Sequence, residues 1–237
     1  MKVTRLRILL LMQPRSVAIM IVNSIEAREM SLPQSRILYP IEEYLELERQ
    51  SEERHEFCDG QVWAMAGESP ELGTICTNLT RIVSTQLLGT PCQTFSKDTK
   101  VFSGPTPRKG PYFEGMFSYP DLVVVCGELI FQDEHQQVIL NPTVIIEVLS
   151  PSTEFFDRNA KRKRYHTWLP TLRDYLMVAQ SRPQIDHDHR PGRGKWLHSS
   201  INGLESSVHI ASIGCTLKLA DVYDRIALSE PPAVAGG

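Results

Sequence analysis

The segment Val144–Leu149 limits the possible folds most, because its sequence VIIEVL is an almost unbroken apolar run interrupted by one glutamate. Runs of this kind are typical of strands that are buried on both faces. Burying a carboxylate is costly unless a cation or hydrogen-bond donors meet it inside the fold. We therefore expect Glu147 to lie inside the protein and the rest of the chain to supply its partner.

The composition indicates an ordinary globular protein. The 237 residues are 41% hydrophobic and 22% charged, which suits one domain of moderate size or one domain with loose ends. A net charge of -3 excludes a globally basic nucleic-acid binder but leaves room for a local basic groove. The five cysteines form no C-x-x-C pair, which argues against a disulfide framework and a zinc ribbon and favours a reducing cytoplasm.

The two ends of the chain are expected to lie outside the domain. Residues 1–34 contain two apolar runs, neither near the ~20 residues of a membrane span, and no clear signal-peptide cleavage site follows. We interpret them as a flexible leader or a mis-assigned start, with Met30 as the alternative to Met1, and we expect no membrane association. Residues 35–226 form the predicted domain, and residues 227–237 a disordered tail.

The order of the predicted elements indicates an α/β or α+β domain with a mixed central sheet flanked by helices. Helical spacing predicts helices after Pro40, after Pro70 and after Ser152. The Asp59-Gly60 dipeptide predicts a hairpin turn between HEFC and QVWAMAG. From Arg173 onward, short alternating runs predict a C-terminal β-meander.

Two carboxylates supply the predicted chemistry. Asp121 enters the strand SYPDLVVVCG, and neighbouring strands could hold it a few Å from Glu147, where like charges repel. Mg²⁺ or Mn²⁺ would relieve this repulsion, since hard cations take carboxylate oxygens as ligands. Two alternatives stay open: Asp121 as a turn residue after Pro120, and Glu147 as a structural acid that pairs with an arginine or caps a backbone gap.

A lysine is the third component. Leu149 occupies the position, on the same strand face as Glu147, from which a lysine could reach a phosphate beside the metal. The following helix offers Lys161, which shares a helix face with Asp157 and Tyr165. Lys161 belongs to the run KRKR, and such runs usually form a solvated face. Only its register with Tyr165 favours Lys161 over its neighbours.

The segments Y-P-D, E-V-L-S-P-S-T and D-x-x-x-K-x-x-x-Y, together with the HEFCDGQVWAMAG hairpin, resemble the Uma-two family of bacterial restriction endonuclease-like proteins. This family is a branch of the PD-(D/E)XK nuclease superfamily, and the resemblance covers residues 35–226. It implies a restriction endonuclease-like fold and magnesium-dependent hydrolysis of phosphodiester bonds. It also implies metal binding by Asp121 and Glu147, Lys161 as the lysine that has moved from the E-x-K position to the next helix, and Glu56 as an early glutamate near the site.

These observations favour a metal-dependent endonuclease that acts on DNA. The main alternative is a non-catalytic nucleic-acid or protein-binding module of the same fold with a decayed site, which the missing lysine at Leu149 supports. A third possibility is an enzyme that processes the phosphates of small nucleotides. A homodimer would suit the cutting of two strands, since a twofold axis relates two sites.

The segment DHDHR is a tempting metal site, with His187 and His189 on one strand face and Asp186 and Asp188 on the other. The sequence shows no third ligand beside the two histidines, and a metal site needs at least three. We therefore interpret this segment as an exposed strand.

Overall fold

The central strand predicted from VIIEVL is present and lies inside a six-stranded sheet. The computed structural model describes residues 38–65, 67–105, 112–132, 135–192 and 194–228. The predicted leader 1–34 and the predicted tail, apart from residues 227 and 228, lie outside the described residues.

The helical elements are α1 (Ile41–Gln50), α2 (Pro70–Gln86), α3 (Glu154–Phe156), a π-helical segment (Asp157–Lys161), α4 (Arg162–Trp168) and α5 (Leu219–Val222). The strands are β1 (His55–Cys58), β2 (Gln61–Ala64), β3 (Cys92–Ser96), β4 (Lys100–Ser103), β5 (Met116–Ser118), β6 (Leu122–Cys126), β7 (Val138–Ile139), β8 (Val144–Leu149), β9 (Asp174–Ala179), β10 (Gln184–His189), β11 (Leu197–Asn202), β12 (Ser207–Ile210) and β13 (Cys215–Lys218).

The larger sheet has the order β11-β10-β9-β8-β6-β3, and a second, five-stranded sheet has the order β2-β1-β5-β4-β7. In the larger sheet β8 and β9 are parallel, whereas the other pairs are antiparallel. The predicted mixed sheet flanked by helices is therefore confirmed. The strands β9, β10 and β11 form the predicted meander, and β12 pairs with β13 in a separate hairpin.

All six residues of β8 are buried. On one face of the sheet Val144, Ile146 and Val148 share a core with the apolar residues of α2, and on the other face Ile145 and Leu149 share a core with Tyr165 of α4. Both faces are thus covered, as an unbroken apolar run requires.

The tripeptide at residues 119–121 connects the two sheets. The strand β5 ends at Ser118 in the five-stranded sheet, and β6 begins at Leu122 in the six-stranded sheet. The pairing of β1 with β5 places β1 beside this connection. Side chains from both sheets therefore meet where Asp121 enters β6.

The predicted hairpin at Asp59-Gly60 is confirmed. Asp59 has a φ of 49° and Gly60 a φ of 85°, as a two-residue turn between twisted strands requires. A Cβ atom on Gly60 would lie 3.1 Å from the Cβ atom of Leu38, so the close approach of this segment also favours glycine.

The helix predicted after Ser152 is present but is not a regular α-helix. Its middle, Asp157–Lys161, is π-helical, and the Tyr175 hydroxyl donates a hydrogen bond to the Asp157 carbonyl at 3.1 Å. Wide turns of this kind depend on tertiary contacts, and they are frequent at functional sites. The first helix, predicted after Pro40, begins at Ile41 and ends at Gln50.

Two expectations from the sequence are wrong. The antiparallel register of β3 and β6 sets Cys92 opposite Cys126, and the two form a disulfide, although no disulfide framework was expected. The DHDHR segment is not exposed, because β10 lies between β9 and β11 and its residues from Ile185 to Asp188 are buried. No helix among the described residues is long and apolar enough to cross a membrane.

Glu48 connects α1 to the segment between the two sheets through hydrogen bonds. Its Oε1 atom accepts a hydrogen bond from the Tyr119 hydroxyl at 2.6 Å. The backbone N–H of His55 donates to its Oε2 atom at 3.1 Å, and His55 Nδ1 lies 3.1 Å from the same oxygen. This carboxylate is buried, so its partners have no access to water if it is removed.

We expect Glu48→Ala to lower the free energy of unfolding by about 2 to 3 kcal/mol, because it leaves buried donors of His55 and Tyr119 without an acceptor. Urea unfolding measures this change. Glu46→Ala, on the same helix, is the matched control: Glu46 pairs with Arg49 at the surface, with 54% of its side chain exposed, and we expect a much smaller change in the free energy of unfolding. Equal losses in the two variants would contradict the anchoring role of Glu48.

Candidate active site

Glu147 is buried, as the sequence predicts, and it has two partners from the helical segment after β8. The Tyr165 hydroxyl donates to Glu147 Oε1 at 3.0 Å, and Lys161 Nζ lies 3.4 Å from the same oxygen. The Ser118 hydroxyl lies 2.8 Å from the Tyr165 hydroxyl. These contacts fix one carboxylate oxygen of Glu147 in the interior.

The Lys161 ammonium lies among three carboxylates. Its Nζ atom is 3.0 Å from Glu56 Oε1, 3.2 Å from Asp157 Oδ1 and 3.4 Å from Glu147 Oε1. Only 6% of the lysine side chain is exposed. The three acids come from β1, the π-helical segment and β8, so one cation joins three separate parts of the fold.

Asp121 lies beside this cluster at the start of β6. The register that sets Leu122 opposite Ile146, continued by one residue, brings Asp121 opposite Glu147. Asp121 Oδ2 accepts a hydrogen bond from the backbone N–H of Val148 at 2.7 Å. The structure therefore brings Asp121 next to β8 at the residue that follows Glu147.

Glu56 is held by the connection between the two sheets. The backbone N–H of Tyr119 donates to Glu56 Oε1 at 3.2 Å, and the same oxygen contacts Lys161. The side chain of Glu56 is 18% exposed, whereas that of Glu147 is only 5% exposed. Glu56 therefore lies on the more open side of the cluster.

The charges of the cluster are coupled. Burial raises the pKa of Glu147 well above its ordinary value, and Lys161 opposes this shift. Burial also raises the pKa of Asp121, against the opposing effects of the Val148 N–H and of Lys161. Burial alone would lower the pKa of Lys161, but Glu147, Glu56 and Asp157 outweigh it and raise this pKa well above its ordinary value. Lys161 is therefore a charged ammonium at neutral pH.

The predicted residues Asp121, Glu147, Lys161 and Glu56 all lie in this region, beside three further residues for which the sequence predicts no role. Asp157 is buried against Lys161, and Tyr165 and Ser118 form the hydrogen-bonded chain to Glu147. The four-residue spacing from Lys161 back to Asp157 and forward to Tyr165 is the sequence signal that could have identified Asp157 and Tyr165. Ser118 gives no comparable signal in the sequence.

The rest of the basic run KRKR has other partners. Arg162 forms a bidentate contact with Asp188 of β10, and Arg164 pairs with Asp59 of the hairpin turn. Lys163 is exposed. Two of the four basic residues thus connect the helix to neighbouring elements.

The acidic residues of the cluster suit a hard divalent cation. Three carboxyl groups, those of Glu147, Glu56 and Asp157, contact a single ammonium, and that of Asp121 lies beside them. A divalent cation would stabilise the ionised forms that burial opposes at Glu147 and Asp121. Asp157 Oδ1 is buried and has no hydrogen-bond partner within the described residues, so its contact there is the ion pair with Lys161. Oxygen donors of this kind are those that Mg²⁺ and Mn²⁺ prefer.

Known proteins resemble this chain in sequence and in fold. Two uncharacterized proteins of Synechocystis sp. are similar: slr1290 is 32% identical over 78% of this chain and 92% of its own length, and sll1609 is 30% identical over 71% and 90%. The fold matches the crystal structure of a "putative nuclease belonging to DUF820" from Anabaena variabilis, with a TM-score of 0.60, 12% identity, and coverage of 78% of this chain and 97% of that one. The sequence model of the Uma2 family, described as "Putative restriction endonuclease", matches residues 41–220. This match covers most of the described domain, and the chain belongs to the Uma2 family.

Proposed function

We propose that this protein is a metal-dependent endonuclease that hydrolyses phosphodiester bonds in DNA. The observation that supports this most strongly is the burial of Glu147 and Lys161 together beside Asp121, at the point where the two sheets meet. Membership of a family described as "Putative restriction endonuclease" supports the same reaction class. A purely structural ion pair would not need further carboxylates on the same ammonium.

In this proposal Asp121 and Glu147 hold a Mg²⁺ or Mn²⁺ ion. When bound, such an ion supplies positive charge that polarises a phosphoryl oxygen and lowers the pKa of water. Lys161 contacts Glu147 Oε1, so it would orient a water molecule or stabilise negative charge on the phosphate. Glu56 holds Lys161 from the more open side of the cluster and would hold a second cation through water.

Tyr165 and Ser118 act as positioning residues. The chain of hydrogen bonds from Ser118 through Tyr165 to Glu147 Oε1 fixes the orientation of the carboxylate. A fixed carboxylate costs less to reorganise when a cation and a substrate bind, which is the general advantage of a preorganised site.

The competing proposal is a non-catalytic module of the same fold. Leu149 in place of a lysine supports it, and so does the fact that three acids already surround Lys161. The two proposals differ in metal binding: the nuclease requires a cation site that depends on Glu147, and the module does not. A third proposal, an enzyme for small nucleotides, differs in its substrate.

We also propose that the protein acts as a homodimer. Cutting both strands of a duplex is simplest with two sites related by a twofold axis. Light scattering on the purified full-length chain measures its molar mass and so distinguishes a dimer from a monomer.

We expect Asp121→Asn and Glu147→Gln each to reduce Mg²⁺-dependent nicking of plasmid DNA by at least ~100-fold, because each removes a charged ligand from the proposed cation site. Asp98→Asn is the matched control, since Asp98 is a surface carboxylate that pairs with Arg54 and has 70% of its side chain exposed. It should keep the activity of the unaltered protein.

Calorimetric titration with Mn²⁺ separates the competing proposals. The nuclease proposal predicts binding that Glu147→Gln removes and Asp98→Asn does not. The absence of Mn²⁺ binding, together with full nicking activity in Glu147→Gln, would contradict it. Hydrolysis of nucleotides in place of plasmid would favour the third proposal.

We expect Lys161→Met to make stability depend more steeply on pH. Without the ammonium, the pKa of Glu147 rises further above its unfolded value of about 4.5, so the folded state keeps a proton that the unfolded state has released. In both proteins stability falls as the pH rises above ~4.5, but in the variant this fall continues to a higher pH, so the gap between the two unfolding free energies should widen once the pH exceeds the Glu147 pKa of the unaltered protein. Urea unfolding at several pH values measures this gap.

Lys97→Met is the control for this electrostatic effect. Lys97 pairs with Glu68 at the surface, where 41% of the lysine side chain is exposed. Solvent screens such pairs, so the difference in unfolding free energy between Lys97→Met and the unaltered protein should stay nearly constant across the pH values measured. Parallel curves for Lys161→Met and the unaltered protein would show that Lys161 does not control the ionisation of Glu147.

A further inference from the structure

A second group of metal-binding residue types lies in the same sheet as Glu147 but on its opposite face. Glu147 pairs with Met177 of β9 and so shares a face with it, whereas Asp174 is three residues earlier and points to the other side. The register of β9 and β10 sets His189 opposite Asp174, and His187 lies two residues from His189 on the same face. The third ligand that the sequence did not show beside the two histidines is thus Asp174.

The three side chains converge on one point. His187 Nε2 and His189 Nδ1 each lie 2.7 Å from Asp174 Oδ1, and the three candidate ligand atoms lie within 4.8 Å of one another. The Asp174 side chain is fully buried, and the His187 side chain is 9% exposed. The other carboxylate oxygen, Oδ2, accepts a hydrogen bond from the Ser212 hydroxyl.

We propose that Asp174, His187 and His189 form a second metal site, one that selects Zn²⁺ or a similar transition-metal ion in preference to Mg²⁺. Imidazole nitrogen suits zinc, cobalt and nickel, whereas the all-carboxylate cluster around Glu147 suits hard cations. Two histidines and one carboxylate are a common set of three protein ligands for zinc, with the fourth position left for water or another small ligand.

The surroundings have the features that such a site needs. Ser212 holds the second oxygen of Asp174, which is how outer hydrogen bonds fix the orientation of a ligating carboxylate. A surface cleft of about 520 Å³ borders the group, with His189, Arg173 and Ser212 in its lining, so solvent reaches the His189 side of the proposed site. Tetrahedral bonds of ~2.0 to 2.1 Å would set neighbouring ligand atoms ~3.3 Å apart, so each imidazole would move back by ~0.6 Å. His189 is 28% exposed and has room for this shift.

The role of this metal would be to hold the last hairpin onto the sheet. Asp174 begins β9, the two histidines belong to β10, and Ser212 lies in the turn between β12 and β13. An ion bound to the first three, with Ser212 on the same carboxylate, would join these elements at one point. The site therefore adds stability and does not require nuclease activity.

A similar group on the opposite face of β10 serves as an internal comparison. Asp188 contacts His166 and His198, but the Arg162 guanidinium binds both of its oxygens, at 2.5 and 2.7 Å. A cation already neutralises that carboxylate. At Asp174, by contrast, the described contacts of the carboxylate are with two imidazoles and a hydroxyl.

The test is titration of the chelator-treated, full-length protein with ZnCl₂ in the presence of excess Mg²⁺, which occupies any hard-cation site. We expect one Zn²⁺ per chain, an increase in Tm of ~5 °C or more at saturating metal, and the ligand-field absorption of tetrahedral Co²⁺ when cobalt replaces zinc. His189→Ala should weaken binding at least ~100-fold and remove the cobalt absorption, and Ser212→Ala should weaken binding ~10-fold.

His198→Ala is the matched control, because it removes a histidine from the same sheet that contacts Asp188 and not Asp174. It should leave Zn²⁺ affinity unchanged, and so should Asp121→Asn in the proposed nuclease site. Absence of Zn²⁺ binding, equal weakening by His198→Ala, or loss of binding in Asp121→Asn would each overturn the proposal. If His189→Ala does not fold, Ser212→Ala decides, since unchanged affinity in that variant would also overturn it.

Discussion

The buried ammonium of Lys161 is the interaction on which the centre of this structure depends. It lies within 3.4 Å of carboxylate oxygens from Glu147, Glu56 and Asp157, which come from three different elements. Three carboxylates without this cation would repel one another in an environment that screens charge poorly. The same contacts that stabilise the junction of the sheets also concentrate negative charge beside Asp121. Stability and the proposed chemistry thus have one physical origin.

The architecture places different donor types on the two faces of one sheet. On the face covered by α4, carboxylates of β1, β8 and the π-helical segment surround a lysine. On the other face, Asp174 and two histidines of β10 converge under the last hairpin. Because neighbouring residues of a strand point to opposite faces, one sheet can carry two separate environments. The first environment suits hard cations, and the second suits zinc-like ions.

Much of the fold and part of the site could be predicted from the sequence, because both depend on local patterns. The apolar run around Glu147, the D-G turn and the spacing of Lys161 with Tyr165 are visible without coordinates. The π-helical segment, the pairing of Cys92 with Cys126 and the convergence of Asp174 with His187 were not predictable. Each depends on which strands pair or on packing between elements distant in the chain, and hydrophobic periodicity assigns residues to a strand face without identifying the neighbouring strand. The histidines of DHDHR are visible in the sequence, but their third partner lies on another strand.

The most direct test of the central claim is the position of a hard cation in the protein. A crystal structure obtained in Mn²⁺, with data collected for manganese anomalous scattering, measures that position without reference to activity. The account predicts an anomalous peak within ~2.5 Å of carboxylate oxygens of both Asp121 and Glu147, with Lys161 still in contact with Glu147. Full manganese occupancy elsewhere, with no peak between these two carboxylates, would contradict it.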